Sequence, residues 1–239
     1  MKLRSMLGDD WFDFLQPFLK SGLFKTLEEK LLLEIKRENS ILVPSLSYVF
    51  EPFKNCPLKE LKVVILNDTP FKDLKANDGL AFSVSNTDIG IMDIPLEAEC
   101  FWEGVELDVC DGFHLQKDYD HHKLANQGVL LLNCSPTLSY IDNKLDTPFW
   151  ESHYDLWKSF IKYVIYTICK NYTGIIFVTL GSKPREYISP VIKSNNYLLT
   201  STHPRSVSNS SKTWDSGGVF STINKILKQN NNLELNWLN

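Results

Sequence analysis

The stretch LKVVIL, residues 61–66, is short, almost entirely apolar and rich in β-branched side chains. Such a run is typical of a parallel strand that is buried on both faces of a sheet. Similar apolar runs follow at residues 129–132, 175–180 and, less strongly, 197–200. Helical periodicity lies between them and is clearest in residues 150–169. This alternation predicts an α/β fold with three layers, α/β/α, around a central four-stranded, mainly parallel sheet.

The first 40 residues show an amphipathic helical pattern. Their apolar side chains recur at intervals of three and four residues in two series: Trp11, Phe14, Leu15 and Phe18, then Leu27, Leu31, Leu32 and Ile35. Pro44 and the serines that follow it end this N-terminal helical region. Because the chain has no internal repeat and no long linker, we expect residues 1–239 to form a single domain that includes these helices.

Composition and charge narrow the class of protein. The chain has 239 residues, of which 43% are hydrophobic and 23% charged, as in an ordinary globular protein. A net charge of −4 weighs against tight sequence-independent DNA binding, although it is compatible with a local basic face. No run approaches the roughly 18 apolar residues of a membrane span. The N-terminus also lacks the uninterrupted apolar segment that is typical of a secretory signal.

The cysteines show neither a CxxC motif nor a spacing typical of metal ligands: Cys56, Cys100, Cys110, Cys134 and Cys169. We therefore expect reduced, mostly buried thiols and an intracellular, reducing compartment, either the cytoplasm or the nucleus. The sequence predicts no metal ion, no cofactor and no membrane partner for this chain.

The segment 85–120 is strongly acidic. Its carboxylates are Asp88, Asp93, Glu97, Glu99, Glu103, Glu106, Asp108, Asp111, Asp118 and Asp120. A solvated helix or loop face is the ordinary interpretation of such a run. A surface that binds a protein partner is the alternative.

In open parallel sheets, ligands bind beyond the carboxyl ends of the strands. Four polar segments follow the predicted strands directly: residues 67–72, 133–137, 181–184 and 202–208. Because the carboxyl ends of parallel strands meet at one edge, we expect the functional side chains of this chain to lie in these segments.

Several motifs, in their order and spacing along nearly the whole chain, resemble family-1 uracil-DNA glycosylases. VVILNDTPFK, residues 63–72, resembles that family's VVILGQDPYH-type water-activating loop. GLAFSV, residues 79–84, is close to GLCFSV, and GVLLLN, residues 128–133, resembles the segment that ends in the uracil-reading asparagine. GIIFVTLG, residues 174–181, resembles GLVFLLWG, and LLTSTHPRSVS, residues 198–208, resembles the strand that leads into the HPSPLS loop.

The resemblance implies that a uracil base is flipped out of DNA into a tight pocket. Phe82 would stack on the base, and Asn133 would read its N3 and O4 edge. His203 would hydrogen-bond the uracil O2 atom as negative charge develops there. Phe71, at the tyrosine position, would exclude the methyl group of thymine. Without the resemblance, we would favour a core aromatic in an alternating strand for Phe82 and a structural role for His203, and Asn133 could simply turn the chain after a strand.

The water-activating loop departs from the family pattern. Asn67 replaces a flexible glycine, Asp68 replaces glutamine and Lys72 replaces histidine. Thr69 occupies the position of the catalytic aspartate, and its hydroxyl can hydrogen-bond water but cannot stabilise a cationic sugar by charge. Losing such a positioned base typically costs roughly 10²- to 10⁴-fold in rate. Asp68 could replace it only if the loop is rearranged, so the candidate catalytic residues are His203, Asp68 and Thr69.

The resemblance also assigns contacts with DNA. Pro44 and Ser45 correspond to a proline-rich loop, and the remaining candidates are Lys72, Arg205, Ser206, Val207, Ser208 and Lys212. The shorter Val207 replaces the leucine that wedges into the duplex. Trp214 could replace this wedge by stacking on a base, or it could simply be a packed tryptophan.

These features favour a uracil-DNA glycosylase-like protein that binds uracil-containing or single-stranded DNA, or a flipped uracil. Its hydrolysis of the N-glycosidic bond would be strongly reduced or lost, and it would act in DNA replication or in binding a partner. The alternative is an active, divergent uracil-DNA glycosylase of base-excision repair that prefers single strands. A third hypothesis is a pocket that accepts a different base or nucleotide.

Overall fold

The computed structural model describes residues 3–110, 117–142, 148–206 and 213–238. The α-helices are α1 (Leu3–Leu7), α2 (Asp9–Leu19), α3 (Gly22–Lys36), α4 (Glu51–Asn55), α5 (Leu96–Val109), α6 (His122–Asn126), α7 (Tyr154–Asn171), α8 (Ser189–Ile192) and α9 (Val219–Gln229). The β-strands are β1 (Ser40–Val43), β2 (Val63–Asn67), β3 (Val129–Asn133), β4 (Leu138–Ile141), β5 (Phe149–Ser152), β6 (Ile176–Leu180) and β7 (Tyr197–Ser201). No helix in these ranges is long and apolar enough to cross a membrane.

The central sheet is parallel and has the strand order β3-β2-β6-β7 within the described ranges. All four predicted apolar runs form its strands, and every residue of β2, β3 and β6 is buried. The side chains of β2 alternate between the faces: Val64 and Leu66 point to one hydrophobic cluster, Val63 and Ile65 to another. The first cluster includes residues of α1–α4, α7 and α8, and the second includes residues of α5, α6 and α9. The predicted three-layer α/β/α fold is therefore confirmed.

The N-terminal region is helical, as predicted. The side chain of Ser21 caps α3 by accepting a hydrogen bond from the backbone N–H of Phe24 at 3.3 Å. Trp11 and Phe18 of α2 are buried in the first hydrophobic cluster. The helices end at Lys36 and are followed by strand β1, so the prediction that Pro44 ends the helical region was wrong.

A second, antiparallel sheet with the order β1-β4-β5 lies beside the central sheet and was not predicted. Tyr140 of β4 pairs with Trp150 of β5, and their ring centroids lie 5.1 Å apart. The prediction of a helix over residues 150–169 was therefore wrong at its start, because residues 149–152 pair as a strand. Helix α7 begins after His153, whose backbone N–H donates to the Ser135 hydroxyl at 2.9 Å.

Helix α5 carries much of the acidic segment. Its apolar residues face the interior, where Phe101 and Val105 are buried against α9 and the sheet. On its polar side, Glu99 and Glu103 each accept a hydrogen bond from Lys117 at 3.1 Å. This part of the segment is a solvated helix face with internal ion pairs, and a protein partner for it remains a prediction.

Candidate functional site

A cleft with a volume of about 820 Å³ lies at the carboxyl edge of the central sheet. The segments that follow β2, β6 and β7 meet in its wall, as the strand pattern predicts, whereas residues 133–137 after β3 do not line it. Sequence-predicted residues that line it are Asn67, Asp68, Thr69, Phe71, Lys72, His203, Arg205 and Ser206. Trp150, Tyr154 and Arg185 also line it and were not predicted as site residues, and Glu97 was predicted only as part of the acidic segment.

Three side chains form a hydrogen-bonded chain at the inner end of this cleft. The Asn67 Nδ2 group donates to Asn133 Oδ1 at 2.8 Å and to the carbonyl oxygen of Thr69 at 2.9 Å. The His203 Nε2 atom lies 3.0 Å from Asn67 Oδ1. Because a backbone carbonyl only accepts hydrogen bonds, the contact with Thr69 assigns the orientation of the Asn67 amide. Asn67 therefore links Asn133 to His203.

The hydrogen bonds of His203 also assign its tautomer. The backbone N–H of Arg205 donates to His203 Nδ1 at 3.1 Å, so the proton of the neutral ring lies on Nε2. This proton is donated to Asn67 Oδ1. Burial lowers the pKa of His203 below its usual value, which keeps the imidazole neutral near pH 7. The site therefore presents a neutral N–H donor.

The sheet positions these groups. Asn67 and Asn133 are register partners at the ends of adjacent strands β2 and β3. Two further hydrogen bonds extend the pairing beyond the strands: Cys134 N–H to Asn67 O at 2.8 Å, and Ser135 N–H to Asp68 O at 3.0 Å. They fix the start of the loop after β2, and with it the direction of the Asn67 side chain.

The loop that carries His203 approaches the end of β6 closely. Gly181 has a φ of +106°, in the range that L side chains rarely adopt, and its added Cβ would lie 3.3 Å from the His203 Cβ atom. Glycine is therefore favoured here both by backbone conformation and by space.

Asp68 is the acidic residue nearest to the position of the missing catalytic aspartate. Its side chain lines the cleft, and its buried Oδ1 atom has no hydrogen-bond partner among the described residues. Burial raises the pKa of the Asp68 carboxyl to about 6, partly offset by the charge of Lys183. The carboxyl thus titrates close to neutral pH, whereas Thr69 contributes an uncharged side chain to the same wall.

The two candidate phenylalanines lie at different depths. Phe71 lines the cleft, and Asn77 holds its backbone by accepting from Phe71 N–H at 2.8 Å and donating to Phe71 O at 3.0 Å. Phe82 is 1% exposed and does not reach the cleft. Its ring lies parallel to that of Phe101 at 4.6 Å and 6.0 Å from the His203 ring.

The backbone around Phe82 is turned rather than extended. Phe82 has a φ of +64°, a conformation that is costly for a non-glycine residue. The alternating strand over residues 80–84 is therefore wrong, although Phe82 is a buried core aromatic, as that alternative expected. The hydroxyl of Ser83 stabilises the turn by donating to Asp78 at 2.7 Å and accepting from His121 N–H at 3.0 Å.

The candidate DNA contacts divide into three groups. Lys72, Arg205 and Ser206 are exposed at the mouth of the cleft, and Arg205 Nη1 lies 2.9 Å from Glu97 Oε1. Pro44 and Ser45 line a separate groove of about 590 Å³ and do not reach the cleft. Val207, Ser208 and Lys212 lie outside the described residues.

Trp214 does not provide the wedge that was considered as one alternative. It is 1% exposed, and its Nε1 group donates to the Thr202 hydroxyl at 3.0 Å. Its ring packs so closely on Gly104 that an added Cβ there would lie 2.4 Å from the indole. Trp214 is a packed core residue.

A set of potential metal ligands exists away from the cleft. Single ligand atoms of Asp78, Asp120 and His122 lie within 4.8 Å of one another. These side chains already have partners, since Asp78 accepts from Ser83 and His122 contacts Asp120 at 2.6 Å. The geometry does not require a metal ion there.

Comparison with known proteins gives consistent similarities, although no family model matches the chain. It is 30% identical over 241 residues to a uracil-DNA glycosylase of Buchnera aphidicola subsp. Baizongia pistaciae, covering 99% of each chain. It is 27% identical over 233 residues to a uracil-DNA glycosylase of Campylobacter jejuni subsp. jejuni, covering 97% of this chain and 94% of that protein.

Solved structures show the same similarity in three dimensions. The crystal structure of mimivirus uracil-DNA glycosylase matches with a TM-score of 0.79 and 25% identity, covering 99% of this chain and 89% of that one. A mimivirus UNG variant in complex with UGI matches with a TM-score of 0.78 and 23% identity, covering 99% and 91%. The latter likeness concerns the fold alone.

Proposed function

This chain belongs to the uracil-DNA glycosylase family, and we propose on that premise that it binds uracil-containing DNA, preferably single-stranded, and releases uracil at a strongly reduced rate. The observation that carries this function is that the neutral His203 and Asn133 hydrogen-bond the same carboxamide, that of Asn67. His203 donates to its oxygen through Nε2–H, and Asn133 Oδ1 accepts from its nitrogen. A family pocket needs such a pair to hold the leaving base. Slow release would still contribute to base-excision repair.

The leaving-group half of the reaction is supported by the retained groups. When the C1′–N1 bond breaks, the electron pair moves to the base, and negative charge develops on its O2 atom. An N–H donor that is already oriented and neutral stabilises this charge without first having to reorganise. His203 would supply that hydrogen bond, and the Asn133 amide would hold the N3 and O4 edge.

The water half of the reaction is weakened. Water must add to C1′ of the oxocarbenium-like sugar and lose a proton to a base. The uncharged Thr69 side chain can neither stabilise the cationic sugar by charge nor accept the proton of the water as a carboxylate would. We propose that Asp68 supplies the carboxylate, which is supported by its position in the cleft wall and by its raised pKa of about 6. Because Asp68 stands one residue before the position of the family's catalytic aspartate, we expect slow hydrolysis.

The first experiment measures uracil release from single- and double-stranded uracil-containing oligonucleotides, with the protein in excess. The native protein should release uracil slowly and favour the single strand, where no base pair must be opened. His203→Ala should reduce the rate by roughly 10²- to 10³-fold, the usual cost of a lost oxyanion donor. Thr69→Asp should raise it by roughly 10²- to 10⁴-fold.

Thr26→Asp is the matched control, because it adds the same charge on α3, away from the cleft. It should leave the rate unchanged. An active native protein that is indifferent to His203→Ala would contradict the assignment of the leaving-group donor. If neither the native protein nor Thr69→Asp releases uracil, hydrolysis is not the function.

A second candidate is a protein of the same family that binds DNA or a protein partner without hydrolysis, for instance in DNA replication. It is favoured by the uncharged Thr69 and by the acidic face of α5. This candidate predicts that the native protein retains oligonucleotide binding but releases no uracil at any excess.

A further inference from the structure

The side chain of Asn67 fills the inner end of the cleft. It is 3% exposed, and its carboxamide makes hydrogen bonds with the Asn133 side chain, the Thr69 carbonyl and the His203 ring. We propose that Asn67 occupies the subsite of the base itself and must swing out before a base can bind. This inference rests on the proposed function, because it concerns the same pocket.

The chemistry of the carboxamide matches that of the base it would replace. A carboxamide carries a C=O acceptor and an N–H donor on one carbon atom, as does the O2–C2–N3–H edge of uracil. His203 offers the donor and Asn133 the acceptor that such an edge requires, and both are already engaged by Asn67. Asn67 thus competes with uracil for the same two partners.

The shape of the cleft agrees with this competition. Asn67 and His203 line it, whereas Asn133 and Phe82, the proposed reading and stacking groups, do not. Asn133 is 3% exposed and Phe82 is 1% exposed. The carboxamide is bonded to Asn133 and to His203, whose ring lies 6.0 Å from that of Phe82, so the inner subsite is closed while Asn67 stays in place.

Opening the subsite breaks three hydrogen bonds of Asn67. With the usual net contribution of such bonds, the closed arrangement is favoured by about 100-fold. The apparent affinity for a base falls by the same factor, because only the open fraction can bind it. A base that lacks an N–H donor at N3, such as cytosine, cannot form the bond to Asn133 Oδ1 and should bind more weakly than uracil to the opened subsite.

The test measures binding of free uracil by titration calorimetry to the native protein, Asn67→Gly and Asn67→Ala. Both variants should bind uracil about 100-fold more tightly than the native protein, since they lack the competing amide. Adding Asn133→Ala to Asn67→Gly should remove the gain. Asn224→Ala is the matched control, because Asn224 also bonds buried backbone, at Leu235, but lies away from the cleft.

Equal uracil affinity of the native protein and a folded Asn67 variant would overturn the proposal, as would cytosine binding to Asn67→Gly as tightly as uracil does. Nuclear magnetic resonance on the ¹⁵N-labelled native protein needs no variant at all. On saturation with uracil, the side-chain amide signals of Asn67 should shift to the position of a solvated amide. Unchanged amide signals in the uracil-bound protein would contradict displacement.

The outcomes separate this proposal from the proposed function. Tighter uracil binding by Asn67→Gly without any uracil release from DNA supports the occupied subsite and refutes hydrolysis. Uracil release by the native protein, together with unchanged release and affinity in Asn67→Gly, supports hydrolysis and refutes the occupied subsite.

Discussion

At the scale of single residues, Asp68 is the proposed catalytic base, and its buried carboxylate lowers the free energy of unfolding. Its carboxyl lies in the cleft wall with an unpartnered, buried Oδ1 atom, and burial raises its pKa to about 6. In the unfolded chain the same group titrates near pH 4. The carboxylate is therefore easier to form in the unfolded chain, and its cost to the folded protein grows as the pH rises from about 4 to 6.

We expect Asp68→Asn to be more stable than the native protein at pH 8 and equally stable at pH 4. The gain should be about 1–2 kcal/mol, less than the ~3 kcal/mol of a fully buried group, because Asp68 is partly exposed and solvent screens its charge. Urea unfolding at both pH values measures it. A gain of the same size at pH 4 would show that the carboxylate charge is not responsible.

The same substitution reports on hydrolysis. If Asp68 receives the proton of the attacking water, the rate of uracil release rises with pH around a midpoint of about 6, the pKa of this carboxyl. Asp68→Asn should lose both this rise and most of the rate. A retained pH profile in the variant would assign the base to another group.

Residues of the candidate site differ in how far the sequence could predict them. Asn133 and His203 were predicted as site residues because each stands at the end of an apolar run, in a segment that resembles the family's. Asn67 was identified only as a replaced glycine. Its contact with Asn133 depends on the register of β2 and β3, which a single chain does not specify.

At the scale of elements, α5 reaches the mouth of the cleft and places a carboxylate beside a candidate phosphate contact. Glu97 in its first turn pairs with Arg205 at 2.9 Å. An arginine engaged by a carboxylate is less available to a DNA phosphate, and the carboxylate itself repels the phosphate.

We expect Glu97→Gln to bind single-stranded DNA more tightly at low salt. Each added phosphate contact should steepen the dependence of log K on log salt by about 0.7, which fluorescence anisotropy across a salt series measures. Glu103→Gln is the control, since it removes the same charge from the same helix but from the pair with Lys117. Equal increases in DNA affinity for both variants would show that the change in net charge is responsible, rather than the release of Arg205 from Glu97.

The elements that the sequence predicted well are those whose side chains are buried on all sides. Strands β2, β3 and β6, whose residues are all buried, were found within one or two residues, whereas β7, whose residues are exposed or half-buried, gave the weaker signal. The strands of the antiparallel sheet are four residues long, and β5 is largely exposed. Such a strand depends on its partner, here through Tyr140 and Trp150, and carries little signal of its own.

At the scale of the whole molecule, buried neutral histidines make stability depend on pH. His121 lies in the core against Phe101, and burial lowers its pKa to about 4. An unfolded histidine titrates near 6.5. The unfolded chain therefore takes up the proton first, so the contribution of this residue is complete above pH 6.5 and is lost as the pH falls toward 4.

As the pH falls from 7 to 4, the free energy of unfolding of the native protein should drop by about 3 kcal/mol relative to that of His121→Gln, because glutamine does not titrate. Urea unfolding at several pH values measures this difference. A difference that does not vary with pH would show that His121 does not remain neutral in the core.

Alternation of strands and helices was enough to predict the layers of the molecule and the edge that carries the cleft. It could not predict that Pro44 and Ser45 lie in a separate groove, because this depends on how β1 pairs with β4.

The buried carboxamide of Asn67 also bears on how the protein behaves amid the free nucleobases of a cell. A base attached to bound DNA is held beside the cleft at an effective concentration that can reach the millimolar range. A free base has no such tether and must displace the amide from dilute solution. The pocket should therefore bind free nucleobases weakly, release its own free uracil product readily and bind mainly bases that are attached to a DNA strand.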